Sequence, residues 1–293
     1  MASCLRSKLY STSADAPRFS YHIASSFIAK DRPYDPSTHV FHFNPYNRIQ
    51  PPRNRRPSAR PESGHDAFFV SRINDSGSVA FGVADGVGGW VDSGVDPADF
   101  SHGFCDHMAV AAHEHKAEAD PPLTARKLMQ KGYDAICEDR SLRAGGSTAC
   151  VAIAGADGNL DVANLGDSGF LQLRLNAVHT YSEPQTHAFN TPFQLSLVPP
   201  SVAARMAALA VLIQLPEASE EKKERTLTLQ SLLATEIVTA AKRASVNTKL
   251  DGPFAKEVHK YYPNENWHGG KVDDICVVVA VVNETSAGLK SKL

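Results

Sequence analysis

A chain of 293 residues can bury a sizeable core, and the length fits one large domain with tails. Its 30 basic and 32 acidic residues nearly cancel, so no polybasic field marks nucleic acid or an anionic membrane as the principal partner. The five cysteines, Cys4, Cys105, Cys137, Cys150 and Cys276, make no C-x-x-C pair and no ladder of short spacings, which argues against a zinc knuckle or a disulfide framework and for the reduced thiols of an intracellular protein.

The first 63 residues differ in character from the rest. MASCLRSKLYSTSA carries Arg6 and Lys8 and no acid before Asp15, a composition that suits a mitochondrial transit peptide; without import the expectation is cytoplasmic. PPRNRRPSARP, residues 51–61, holds four arginines and four prolines and no acid, and reads as an exposed basic arm. The expected organisation is a leader and arm over 1–63, of which 18–43 pack on the domain, then a domain over 64–283 and a flexible tail over 284–293.

From Asp66 onward strand-like and helix-like segments alternate. AFFVSRI and SVAFGVAD flank the polar turn NDSG at 74–77 and predict a hairpin. Asp96 before Pro97 is a helix-start signal, and Phe100, Phe104 and Met108 then recur on one helical face. A second helix is expected over TARKLMQKGYDAICED, capped by Thr124. STACVAIA, LDVANLG and FLQLRL, separated by ADGN and GDSG, have the rhythm of an antiparallel meander. The run VAARMAALAVLIQL, residues 202–215, is interrupted by Arg205 and Gln214 and is too short to span a bilayer. A long helix is expected through SLLATEIVTAAKRA, and DICVVVAVV reads as a closing strand buried on both faces. The fold class is α+β, antiparallel sheets inside and helices outside.

Four aspartates fall at the ends of these strands: Asp66 in GHDAFF, Asp85 in FGVADGVGGW, Asp167 in NLGDSGF and Asp273 in GKVDDICVVV. Any one of them alone is as readily a turn cap. Converging at one rim they would repel as bare anions, and a divalent cation resolves that conflict. Oxygen ligands without a His and Cys cluster suit Mg²⁺ or Mn²⁺ better than zinc. Gly86, with no side chain, can offer its backbone carbonyl to such an ion.

In order, GHDAFFV, FGVADGVGGW, GGSTACVAI, ANLGDSGFLQLR and GKVDDICVVVAVV resemble the metal-dependent type 2C (PPM) serine/threonine protein phosphatases, and VGGW with FNTPFQLS at 189–196 is similar to their organellar seventh-type branch. The resemblance implies an antiparallel β-sandwich flanked by helices, with two Mg²⁺ or Mn²⁺ ions and a weaker third at one end. It implies that Asp85 bridges the pair, Gly86 adds its carbonyl, Asp273 holds one ion, Asp66 acts through water and Asp167 serves the third site. His65 stands where the family has a further acid, Arg60 is a rough counterpart of its phosphate-binding arginine, and Ser147 and Thr148 shape the strand. No protein nucleophile is implied: metal-activated water attacks phosphorus in line. The implied partner is a phosphoprotein substrate; the sequence assigns neither its identity nor an oligomeric state.

One family element is missing. After FNTPFQLS the family has a strand and a D-G-x-x-D-N turn whose first Asp is a metal ligand, whereas residues 197–234 contain no aspartate. Glu217, Glu220 and Glu221 read as a solvated helix start. The fold is expected to lose a strand-turn segment and the chain to be impaired, as a shortened isoform or gene model; the alternative is an inactive phosphatase-like protein that binds phosphoproteins. Competing readings are a serine protease built on His113 and Ser168, and a cysteine phosphatase built on Cys137 and Arg143, both weak in context.

Overall fold

The computed structural model describes residues 18–43, 49–50, 60–116, 122–175, 177–197, 209–214 and 228–285. The leader at 1–14, most of the basic arm, Glu217, Glu220, Glu221 and the last residues of the tail lie outside them.

The strands are β1 (Phe19–Ile28), β2 (Val40–His42), β3 (Ile49–Gln50), β4 (Asp66–Arg72), β5 (Val79–Asp85), β6 (Gly146–Ser147), β7 (Ala149–Ala154) and β8 (Leu160–Leu165). They continue with β9 (Gly169–Arg174), β10 (Ala177–Tyr181), β11 (Thr186–Ala188), β12 (Thr191–Pro192), β13 (Leu195–Ser196), β14 (Leu209–Gln214) and β15 (Ile275–Glu284). The helices are α1 (Pro97–Glu114), α2 (Ala125–Glu138), α3 (Leu229–Ser245) and α4 (Pro253–Tyr261). One sheet has six strands in the order β10-β9-β14-β15-β1-β2, the other five in the order β3-β4-β5-β7-β8.

Period-two alternation builds the layers. Phe68 and Val70 of β4 and Phe81 and Val83 of β5 face Ile23, Phe27, Cys276, Val278 and Ala280 of the other sheet. The opposite parity, Ala67 and Phe69 of β4, packs against Phe100, Phe104 and Met108 of α1 and Leu128 and Ile136 of α2. Val277, Val279 and Val281 of β15 pack on Ala234 and Val238 of α3. β15 is thus covered on both faces, which is why its sequence is apolar nearly throughout. Both predicted helix caps form: the Asp96 carboxylate accepts the Ala98 N–H at 3.0 Å and the Thr124 hydroxyl accepts the Lys127 N–H at 3.2 Å.

Three features differ from or add to the sequence expectations. The predicted meander divides, because β7 and β8 pair antiparallel in the five-stranded sheet while β9 lies in the six-stranded one. The chain changes sheets at GDSG, where Gly166 takes φ +90, a conformation that side chains oppose. β1 pairs with β15 along all of its ten residues, Phe19 opposite Glu284 and Ile28 opposite Ile275. Finally, the stretch after FNTPFQLS supplies a strand to the six-stranded sheet. β14 lies between β9 and β15, parallel to both, with Leu209 opposite Val277 and Gln214 opposite Val282.

Among the described residues no helix is long and apolar enough to cross a membrane. His102 of α1 lies 3.4 Å from the Gly64 carbonyl oxygen through its Nε2, and burial, then the neighbouring Arg60 charge, push its pKa from 6.5 down to about 4. The unfolded chain takes up a proton there that the fold rejects, so this contribution to stability is intact above pH 6.5 and is lost as the pH falls to about 4. The loss is on the order of 3 kcal/mol. Denaturant titrations across that window are expected to show a flatter acid limb for His102→Gln than for the parent.

Candidate metal centre

The first turn of α1 fixes the ends of β4 and β5. Asp66 and Asp85 are directly opposed cross-strand partners, a register that is unfavourable for two like charges. The Ser101 hydroxyl donates to the His65 carbonyl at 2.5 Å, and the Gly86 N–H donates to the same carbonyl at 3.0 Å. A Cβ on Gly86 would overlap the Pro97 carbonyl. The missing side chain there therefore admits the helix, a steric reason beside the carbonyl role expected of it. Ser147 and Thr148 hold the peptide of Asp85: the Ser147 hydroxyl and the Thr148 N–H donate to its carbonyl at 2.8 and 3.0 Å, and its N–H donates to the Thr148 hydroxyl at 3.2 Å. VGGW forms a 3-10 turn over Gly88–Ser93 whose Trp90 is buried. Beside it, β6 pairs with β13 of the FNTPFQLS segment, Ser147 opposite Leu195.

The charges of the four sequence-predicted aspartates act on one another, although among the described residues no three of them bring ligand atoms within 4.8 Å of each other. Burial raises the Asp85 pKa well above the carboxylate range, and the charges of Asp66, Asp167, Asp273 and Asp274 push it further the same way. Asp66 is raised by burial and then by Asp274, Asp273 and Asp167, and Asp167 is raised by burial, opposed by Lys271. Both carboxylate oxygens of Asp66, Oδ2 of Asp85 and Oδ1 of Asp167 are buried without a hydrogen-bond partner. Unpartnered buried oxygens of this kind cost free energy unless something positive meets them. A set of hard oxygens at one rim fits a divalent cation of the Mg²⁺ or Mn²⁺ type.

Two members escaped the sequence reading. Asp274 is buried and accepts the Lys30 N–H at 2.7 Å and the His65 N–H at 2.9 Å, so it ties the end of β1 and the start of β4 to the start of β15. The D-D doublet was its one local signal. Lys271 is ion-paired with Asp273 and lies over the Phe254 ring at 5.1 Å, bringing a single positive charge to the acidic rim. Arg60 is engaged elsewhere, paired with Asp99 at 2.5 Å and Asp96 at 3.8 Å on α1.

The rim lies at the amino-terminal end of β15. Because β14 runs parallel to β15, the chain leaves β14 at Gln214, opposite Val282 and at the far end from Asp273. The competing motifs dissolve. Ser168 is buried with its hydroxyl 2.7 Å from that of Thr148, His113 sits in the last turn of α1, and Cys137 is exposed near the end of α2.

Comparison with known proteins bears on the family and the fold. A protein phosphatase 2C homolog 7, mitochondrial, of Saccharomyces cerevisiae is 30% identical over 94% of this chain and 86% of its own length. A protein phosphatase PTC7 homolog of Xenopus laevis is 31% identical over 75% of this chain and 82% of its own. The PTC7 homolog fig of Drosophila yakuba is 32% identical over 80% and 81% respectively. No family model matches the chain. In three dimensions the X-ray structure of the photosystem II phosphatase PBCP covers 91% of this chain and 99% of its own with a TM-score of 0.58, and at 20% identity that likeness speaks for the fold. The chain belongs to the type 2C protein phosphatase family, in its seventh-type (PTC7) branch.

Proposed function

We propose that this chain is a metal-dependent protein serine/threonine phosphatase of reduced activity, acting on a phosphoprotein substrate in the mitochondrion. The observation that supports the reading is the set of unpartnered buried carboxylate oxygens on Asp66, Asp85 and Asp167, each acted on by the Asp273 charge, in a chain of the type 2C family. Asp85 and Asp273 through their carboxylates and Gly86 through its carbonyl would hold the ions, with Asp66 supporting them through water and Asp167 serving a weaker third. A pair of Mg²⁺ or Mn²⁺ ions, when bound, supplies Lewis acidity at phosphorus and an activated water, so that no side chain attacks. The chain's own part is positioning: Ser147 and Thr148 fix the Asp85 peptide, and Asp274 anchors the strand start that carries Asp273. Lys271 competes with an ion for the Asp273 carboxylate, which lowers the effective affinity of the site.

The location reading rests on the leader composition and on the mitochondrial relative from yeast. A binding-only reading is favoured by one observation, the direction of β14, which carries the chain away from the rim. A phosphopeptide release assay separates the two. Phosphate release that requires Mn²⁺ or Mg²⁺ and stops with a chelator is expected; phosphopeptide binding with no release at any metal concentration would leave the binding-only reading standing.

A further inference from the structure

A cluster of metal-ligating groups lies in the segment between α3 and β15 and shares no residue with the acids of the rim. One carboxylate oxygen of Asp251 and one ring nitrogen each of His259 and His268 fall within 4.8 Å of one another. The Asp251 Oδ2 is 3.2 Å from Nδ1 of His268, and the other oxygen accepts the Gly269 N–H at 2.8 Å. The Gly269 N–H and His268 hold the Asp251 carboxyl below the usual carboxylate range, so it is an anion and a competent ligand.

The imidazoles are oriented from outside. Nε2 of His259 lies 2.7 Å from the Trp267 carbonyl oxygen, and Nε2 of His268 lies 3.1 Å from Oδ1 of Asn266. An oxygen on one ring nitrogen selects the tautomer with its N–H there and leaves the lone pair on the other, which is the ordinary support for a metal-binding histidine. Nδ1 of His268 faces the Asp251 carboxylate, and a bound cation takes the place of the proton that the two share.

We propose that Asp251, His259 and His268 form a binding site for a zinc-class divalent metal, with water completing the coordination. The donor set of two nitrogens and one oxygen suits Zn²⁺ or Co²⁺, whereas the oxygen-only rim suits Mg²⁺ or Mn²⁺, so the two sites take different ions. Tetrahedral bonds of about 2.0–2.1 Å place ligand atoms about 3.3 Å apart, a spacing the Asp251 and His268 atoms already have. His259, from its present limit of 4.8 Å, closes by about 1.5 Å at most, within the reach of a half-exposed side chain. The ion fastens residue 251, the last turn of α4 and the loop at 268 to one point. That segment carries Phe254, which covers Lys271, the partner of Asp273.

Co²⁺ is the probe. Titrated into the full chain with the rim saturated by Mg²⁺, it is expected to give the strong visible absorption of a four-coordinate nitrogen-ligated ion at one equivalent, and Zn²⁺ is expected to displace it. His259→Gln and His268→Gln should each weaken Co²⁺ binding by about tenfold or more. Asp85→Asn should leave this binding at the parent affinity, so the outcome does not depend on the rim. Circular dichroism establishes that each variant is folded, and Asp251→Asn takes the place of any that is not. Parent-like Co²⁺ affinity in the folded variants, or only the weak absorption of oxygen-ligated Co²⁺ in the parent, would overturn the proposal.

Discussion

Replacing the segment between Leu197 and Thr228 with a strand that ends in a D-G-x-x-D-N turn is expected to raise Mn²⁺-dependent phosphate release by about 100-fold or more. The reason is directional. The rim sits at the start of β15, so a strand that delivers an acid there from its carboxy-terminal end must run antiparallel to β15. β14 runs parallel to it, with Leu209 nearest the rim and Gln214 remote. The present chain thus keeps the sheet continuous but carries no carboxylate to the rim from this strand. Weakly held Mg²⁺ or Mn²⁺ sites depend on few protein groups, so one added inner ligand shifts occupancy strongly. Phosphopeptide turnover against metal concentration for both chains checks this, and the gain should appear as a lower metal requirement as well as a faster maximal rate. Equal turnover in the two chains would show that the missing acid is not what limits activity.

The second large effect has opposite signs for stability and for activity. Asp85→Asn is expected to abolish metal-dependent release and also to raise the melting temperature of the metal-free protein by several degrees. In the metal-free fold Asp66 and Asp85 face one another while buried; burial raises both pKa values well above the usual 3.8, the Asp66 charge adds to the rise at Asp85, and Asp274, Asp273 and Asp167 add to that at Asp66. A raised folded pKa means that the stability these groups contribute is present below about pH 3.8 and is lost as the pH rises through the folded value. At neutral pH the crowded buried carboxylates are then a liability, and replacing Asp85 by an uncharged amide relieves part of it. Bound cations relieve it instead in the parent. Mn²⁺ should therefore raise the melting temperature of the parent far more than that of Asp85→Asn. Melting curves at neutral pH with chelator and with Mn²⁺ give both comparisons. A variant that melts below the metal-free parent would contradict the repulsion argument.

Local chemistry made part of this architecture legible. NDSG between apolar runs specified the β4-β5 hairpin, Asp96-Pro97 with Phe100, Phe104 and Met108 specified α1, and the valine run specified a strand covered on both faces. What stayed hidden is set by distant partners. β1 is a strand because β15, at the other end of the chain, completes its ladder. GDSG has the composition of a hairpin turn but serves as the corner at which the chain crosses between sheets, and this crossing places Asp167 at the rim. α4 is a short helix of nine residues whose packing comes from Phe189 in the FNTPFQLS segment and from Trp267, neither of which marks a helix by itself.

The same division holds for the site. Asp66, Asp85, Asp167 and Asp273 could be picked out because each ends a strand beside a turn. Asp274 and Lys271 could not, since the first is defined by N–H groups of Lys30 and His65 and the second by its contact with Asp273. Gly86 was identified for its carbonyl, while the close approach of Pro97 is a constraint that only the packed helix reveals.

The most direct test is a crystal of the full chain grown with Mn²⁺ and measured at the manganese absorption edge. The expected result is an anomalous peak between the carboxylates of Asp85 and Asp273, with Mn–O distances of about 2.0–2.3 Å and Lys271 turned away from Asp273. A rim without anomalous signal at saturating Mn²⁺, with the Lys271 to Asp273 pair intact and protons shared between Asp66 and Asp85, would contradict the claim that these acids are gathered to hold a metal.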